Sequence, residues 1–535
     1  MRSLAAVTFA GVVLSACATS RGVDTPSVVA PGTESVPEFL QPIDLIPAAL
    51  GPFSWDISTS EPRAQEYFDQ GMQLRYAYNV TEAARSMAEA QRLDPQCAMC
   101  FWGEAFALGS FLNGGMSVDR SRRAHAAIEE AVALSSSATA VERDLILAAR
   151  DRYPAGYDPE QRRPVDESFA EEMAKVHEKY PDHHEVAVVY AVALFLLEER
   201  GGHRDVEDPD LIRLHGVLTG VLEDDIEHPG ACHLYVHATE SSQHPELALE
   251  CVEHLGRAVP VASHLQHMPS HTWNEVGLWG RSVEANTAAW HSDQKAAKKL
   301  GFSYGRTHNL HMLLFAASMD GQGAIATQAG KDFAKVGGNT MHQVLTLLRF
   351  GRFDEILEVR QRPSADVAGG FWEFAQGYAE LRTGDAAAAL EHLARVQDLA
   401  DHSEAMLRFH PGKQLMGLAA AILEGEILRA QGDLQAAIDA FERAAAFDDQ
   451  QRYDEPEPIP FAARHWLGAA LLEAGRPAEA EDVYRTELAD HPHNVWSLHG
   501  LRAALEAQGK TDPEVERDFA QSTARSDTWI TVSRF

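Results

Sequence analysis

Basic residues are scarce in this chain: Lys and Arg number 46 against 79 Asp and Glu, a formal net charge of −33 over 535 residues. A field of that sign repels a phosphate backbone and makes nucleic acid a poor partner. Aromatic residues are also few, at 8%, whereas apolar side chains as a whole make up 45%, enough to exclude global disorder. No internal run is long and apolar enough to span a bilayer. The usual marks of an enzyme are missing as well. There is no Walker loop or dinucleotide fingerprint, and His184-Glu185 lacks the second histidine of an HExxH site. Gly301, Ser303 and Gly305 spell GxSxG, but helical sequence precedes them where a nucleophile elbow needs a strand. Cysteine is limited to five residues.

The chain opens on a short basic start, Met1-Arg2, followed by an apolar run over 4–14 and small residues leading to Cys17. This is the pattern of a secretory signal, too short to remain as a membrane span. Leu14-Ser15-Ala16-Cys17 resembles a bacterial lipobox, in which the cysteine is lipidated and becomes the new N-terminus. Ala18 stands where an inner-membrane retention Asp would stand, which implies an outer-membrane lipoprotein facing the periplasm. The alternative is an ordinary cleaved signal. Residues 18–62 carry Pro26, Pro31, Pro37, Pro42, Pro47 and Pro52, too closely spaced for a helix, and read as a tether.

A 34-residue period organises the rest. With Ala64 as position 1, Gly71 falls at 8, Ala83 at 20, Ala90 at 27 and Pro95 at 32. Starting at Leu418, Gly425, Ala437, Phe441 and Ala444 take positions 8, 20, 24 and 27; starting at Phe461, Gly468, Ala480, Tyr484 and Pro492 take 8, 20, 24 and 32. Small residues recur where two antiparallel helices approach closely, and the proline ends the second helix. These positions resemble the tetratricopeptide repeat (TPR). The resemblance implies an all-α solenoid of helical hairpins wound as a right-handed superhelix, interrupted near 150–165, 200–210, 400–415 and 448–460. The organisation expected is a signal peptide (1–17), tether (18–62), N-terminal hairpins (63–228), histidine-rich units (229–320) and C-terminal units (321–530). HPGACHLYVHATE (228–240), HLQHMPSH (264–271), THNLHMLLFAA (307–317) and EPIPFAARHWLGAALLEAGRPAEAE (457–481) look like a group of exported bacterial TPR proteins. That likeness supplies a fold and no reaction; TPR proteins in general hold peptides or partner proteins in the concave groove.

Histidine is the unusual residue. Twelve of the 25 lie between His215 and His311. In the unit starting at Pro229, His233, His237 and Glu240 take positions 5, 9 and 12; in the next, starting at Ser263, His264, His267 and His271 take 2, 5 and 9. After a ten-residue insertion, His308 and His311 take positions 2 and 5 of the unit starting at Thr307. All should face one stretch of groove. An i, i+4 pair stacks two imidazoles on one helix face, so His233, His237, His267 and His271 form a candidate four-nitrogen site for Zn, Cu, Ni or Fe. Glu240 is a candidate ligand, outer carboxylate or general base. Against this stand a groove whose histidines bind a peptide or small molecule, and histidines that only hydrogen-bond one another as structure; Pro269 also threatens the geometry of the second pair. His465 and His499, isolated at position 5 of later units, read as groove surface.

With Cys17 taken by lipid, four cysteines remain. Cys97 and Cys100 form a CxxC at a helix start, and Cys232 and Cys251 fall on facing helices, so each pair is a disulfide candidate in an oxidising compartment, although three connectivities are open. Phe101 after Cys100 excludes haem attachment, and a redox CxxC would need a βαβ context that is absent. Two functions follow. One is a lipid-anchored periplasmic scaffold that holds a protein or peptide, with the histidines as a metal site and no membrane contact beyond the anchor. The other is a metal-dependent enzyme with Glu240 as base.

Overall fold

The computed structural model describes residues 38–199, 202–301 and 303–534. Cys17 and its lipobox lie outside them. The described residues form an all-α solenoid of twenty-five α-helices, with one minimal hairpin of two-residue strands, Met406–Leu407 and His410–Pro411. Pro62–Tyr76 and Val80–Leu93 make the first helical pair, and Ala98–Leu108 begins the next. The periodic small residues perform the expected task. A Cβ added at Gly71 would lie 2.6 Å from Met87 Cε; at Gly425 it would run into the Phe441 ring, and at Gly468 into the Tyr484 ring. Many helices open on a side-chain cap, among them Ser117, Thr139, Asp385, Asp433 and Asn494, each accepting a bond from a first-turn N–H. Four irregular stretches, 151–162, 196–208, 403–411 and 449–463, fall where the period breaks.

Three features depart from expectation. Residues 38–61 are not a free tether. Trp55 is buried, and Phe39, Ile43, Leu45 and Phe53 pack against the first repeats. A proline-rich segment cannot satisfy its own backbone, so the first helix does it: Gln70 Oε1 accepts from Ile46 N (2.9 Å), Gln73 Oε1 from Gly51 N (2.8 Å) and Asp69 Oδ1 from Trp55 N (3.0 Å). Packing does not break at 228 either. One apolar cluster runs from Trp55 to Trp273, a small one from Trp279 to Ala329, and a third from Met341 to Val515. His465, expected on the groove surface, is fully buried, with Nε2 3.3 Å from Asn494 Oδ1.

The array closes on itself. Trp279 Nε1 donates to the Pro492 carbonyl (2.8 Å) and Trp496 Nε1 to the Ser318 carbonyl (2.7 Å). Arg525 pairs with the buried Asp320 (2.7 Å), and Asp527 Oδ1 accepts from Gly323 N at the start of Gly323–Gly337 (2.6 Å). The last repeat thus rests on the histidine-bearing middle units. Substituting Gly468→Ala should cost about 1–3 kcal/mol in chemical denaturation, because the Tyr484 ring has nowhere to go. Gly216→Ala, in mid-helix with open space around it, should be neutral or stabilising by up to about 1 kcal/mol.

Candidate metal centre

Helix Pro229–Thr239 carries His233 and His237, with Glu240 as its C-cap. Pro269 does divide the next repeat helix, giving Ser263–His267 and Pro269–Glu275. The break leaves His267 and His271 adjacent all the same, with ring centres 4.9 Å apart. His233, His237, His264, His267 and His271 are at most 2% exposed, and His308, on Arg306–Met319, is half-buried beside them.

The histidines do not gather as the expected four-nitrogen set. They form two groups of three, His233/His237/His264 and His267/His271/His308, with the ligand atoms of each group within 4.8 Å of one another, and His237 and His271 also meet Glu240 and Glu455 in a third, equally close set between them. The groups touch: His264 Nδ1 lies 3.0 Å from His267 Nε2. His311 joins neither group. Its ring faces His342, 4.1 Å between centres, and burial holds both imidazoles below the usual histidine range, His342 at about 4.

Hydrogen bonding dictates the tautomers. His233 Nδ1 lies 2.6 Å from the Tyr76 carbonyl and must donate, which leaves a lone pair on Nε2 facing His264 Nε2 at 3.0 Å. With protein groups alone, His264 donates there and accepts at Nδ1 from His267 Nε2. The relay ends on His267 Nδ1, a buried lone pair with no donor. His271 arrives at the same state separately: Nδ1 donates to Glu240 Oε2 (2.6 Å), and Nε2 has no partner. Two lone pairs in one three-histidine group thus lack an electrophile. Burial, reinforced by the neighbouring imidazoles, keeps His233, His264 and His267 well below the usual range, so protonation does not fill the lone pair on His267.

Glu240 is settled by its geometry. Oε1 accepts from His237 Nδ1 (2.9 Å) and Oε2 from His271 Nδ1, one histidine from each group. Burial alone would raise its pKa, but the two imidazoles hold it well below the carboxylate range. A carboxylate so occupied is a poor general base, which removes the role expected of it in an enzyme; it orients two rings so that their Nε2 atoms face inward.

Several contributors escaped the sequence reading. Tyr78 lies over His233 and His264, with ring centres 4.4 and 5.2 Å away, and takes a left-handed backbone (φ 58°). That conformation is unfavourable for a tyrosine by roughly 1–2 kcal/mol and persists through this packing. Glu455 reaches His271 Nδ1 at 3.0 Å from the 449–463 loop. Tyr304, inside the GxSxG stretch, stacks on His264 at 4.3 Å, and no strand precedes that stretch among the described residues. Glu455 and Tyr304 both come from segments that interrupt the period, which in a repeat array is the one available sign. The cysteines pair as Cys97–Cys100 and Cys232–Cys251, the second tying Pro229–Thr239 to Leu249–Ala258 directly beside His233.

No family model and no curated protein matches the chain. Among solved structures it is similar in fold to human IFIT1, solved as a dimer with m7Gppp-AAAA (10% identity, 90% of this chain and 98% of that one, TM-score 0.31). It is likewise similar to yeast Tom70 (12%, 88% and 98%, 0.31) and to the APC/C Cut9–Hcn1 assembly (13%, 85% and 79%, 0.29). Likenesses of this degree say nothing of function.

Replacing Glu240 by Ala would remove the carboxylate that His237 Nδ1 and His271 Nδ1 share, leaving His271 to Glu455 alone. It should cost about 3 kcal/mol or more in denaturation and weaken metal uptake by about 10–100-fold, with Glu240→Gln intermediate on both readouts.

Proposed function

We propose that the chain is an exported, lipid-anchored helical-repeat metalloprotein whose closed array holds two neighbouring three-histidine metal sites. The observation that carries this reading is the pair of buried lone pairs, His267 Nδ1 and His271 Nε2, with no donor in a group completed by His308. A transition ion bound by imidazole, Zn, Cu, Ni or Fe, supplies the missing electrophile. Three protein ligands leave a coordination position open on each ion, the condition for chemistry on a small molecule rather than for a closed structural site. The metal-dependent enzyme is therefore the favoured form of the reading. A peptide in the groove is disfavoured at this point, since the imidazoles are at most 2% exposed apart from His308; a periplasmic protein partner would use another face of the array.

The lipobox at Cys17 and two disulfides agree with export to an oxidising compartment, where attachment to the membrane is through lipid alone. No helix among the described residues is long and apolar enough to cross a membrane. Protein purified without a His tag should contain about two transition ions per chain, one for each open three-nitrogen site. His233→Ala together with His267→Ala, one residue from each group, should abolish uptake. Unchanged metal content in that variant, or none in the unmutated protein after supplementation, contradicts the proposal.

A further inference from the structure

His271 and Glu455 also form part of the wall of a cavity of about 290 Å³, which runs from the metal centre toward the last repeats. Its carboxylates fall into two classes. Most are matched: Asp449 by Arg464 (2.6 Å), Asp454 by Arg408 (2.8 Å) and Glu457 by His491 (3.2 Å). Glu275 and Asp448 are not. No hydrogen bond or ion pair engages Glu275, while Asp448 accepts only from the neutral groups Ala463 N (2.8 Å) and Gln451 Nε2 (2.5 Å). Arg452, the other guanidinium on the wall, is directed to Glu199 at 4.0 Å. Burial raises both carboxyls to about 8, against the opposing pull of the His491 imidazole, which neither of them bonds directly. Trp279, Met312 and Phe315 supply an apolar side to the same cavity, and the fully buried His271, whose Nε2 has no partner, belongs to its wall.

We infer that this cavity receives an organic ammonium ion, a protonated amine on a compact apolar body, with its charge between Glu275 and Asp448 and its body against Trp279 and Phe315. The chemistry of the lining favours this over a bare metal ion. Both nitrogens of His491 are committed to carboxylates, Glu487 at 2.9 Å and Glu457 at 3.2 Å, and Asp490 is largely exposed. The volume also exceeds what one ion fills, and an aromatic wall suits a cation that carries carbon. The inference rests beside the metal-centre reading and names the class of molecule that the adjoining cavity would hold near the metal, but amine binding itself does not require the ion.

Calorimetric titration with benzylamine, against its neutral counterpart benzyl alcohol, tests the idea. Benzylamine should bind the purified chain once and saturably, and benzyl alcohol at least about tenfold more weakly, roughly 1.4 kcal/mol. Glu275→Gln and, separately, Asp448→Asn should each weaken benzylamine about tenfold while metal content stays unchanged. Both substitutions keep the shape of a buried carboxyl that is mostly protonated in the empty cavity and should not impair folding. Equal binding of amine and alcohol, no amine binding by metal-replete protein, or insensitivity to both substitutions overturns the inference. So does uptake of an additional Mn²⁺ that Glu275→Gln abolishes. Amine binding by a chain that takes up no metal even after supplementation supports the cavity assignment and counts against the metal centre alone.

Discussion

Neutral imidazoles buried side by side are the constraint on which the rest of the molecule depends. Each ring nitrogen excluded from water needs a partner, and each ring has one donor and one acceptor to place. The surroundings meet that requirement in part. The carbonyl at the end of the first repeat helix fixes the tautomer of His233, and Glu240 fixes those of His237 and His271. Exclusion of water comes from pieces far apart in sequence: the packed 38–61 segment, the 449–463 loop that delivers Glu455, and the last repeat resting on the middle units through Trp279 and Trp496. An open solenoid would leave these histidines as a polar groove lining. Closure turns them into a site that protein groups alone do not complete.

Much of the repeat architecture was legible in the sequence because it rests on local steric rules. Gly71, Gly425 and Gly468 had to be small to admit Met87, Phe441 and Tyr484, and a 34-residue spacing of such residues is hard to produce otherwise. The candidate site was legible as a set of residues but not as a partition. The period placed His233, His237, His264, His267 and His271 on one stretch of groove, yet it could not say that they would gather three and three, because that depends on the helix break at Pro269 and on the approach of Arg306–Met319. His308 and His311 are three residues apart in one helix, and only His308 turns to the cluster. The Tyr76 carbonyl, Tyr78 and Glu455 were out of reach for a different reason. They belong to a helix end, the turn that follows it and an insertion, whose positions follow from the curvature of the whole array, which no local pattern encodes.

The same geometry changes the functional balance. A TPR-type array suggests an interaction surface. The histidine units do not. Five imidazoles are almost fully buried, a carboxylate holds one ring of each group, and adjoining them is a cavity with two carboxyls that no cation pairs directly. That combination is the basis for proposing small-molecule chemistry over peptide capture, with Glu240 orienting two rings.

Anomalous diffraction at the absorption edge of the bound metal tests the central claim most directly. The account predicts two peaks, one among His233, His237 and His264 and one among His267, His271 and His308. A single peak shared by His233, His237, His267 and His271, or no peak within the cluster in metal-supplemented crystals, would contradict it.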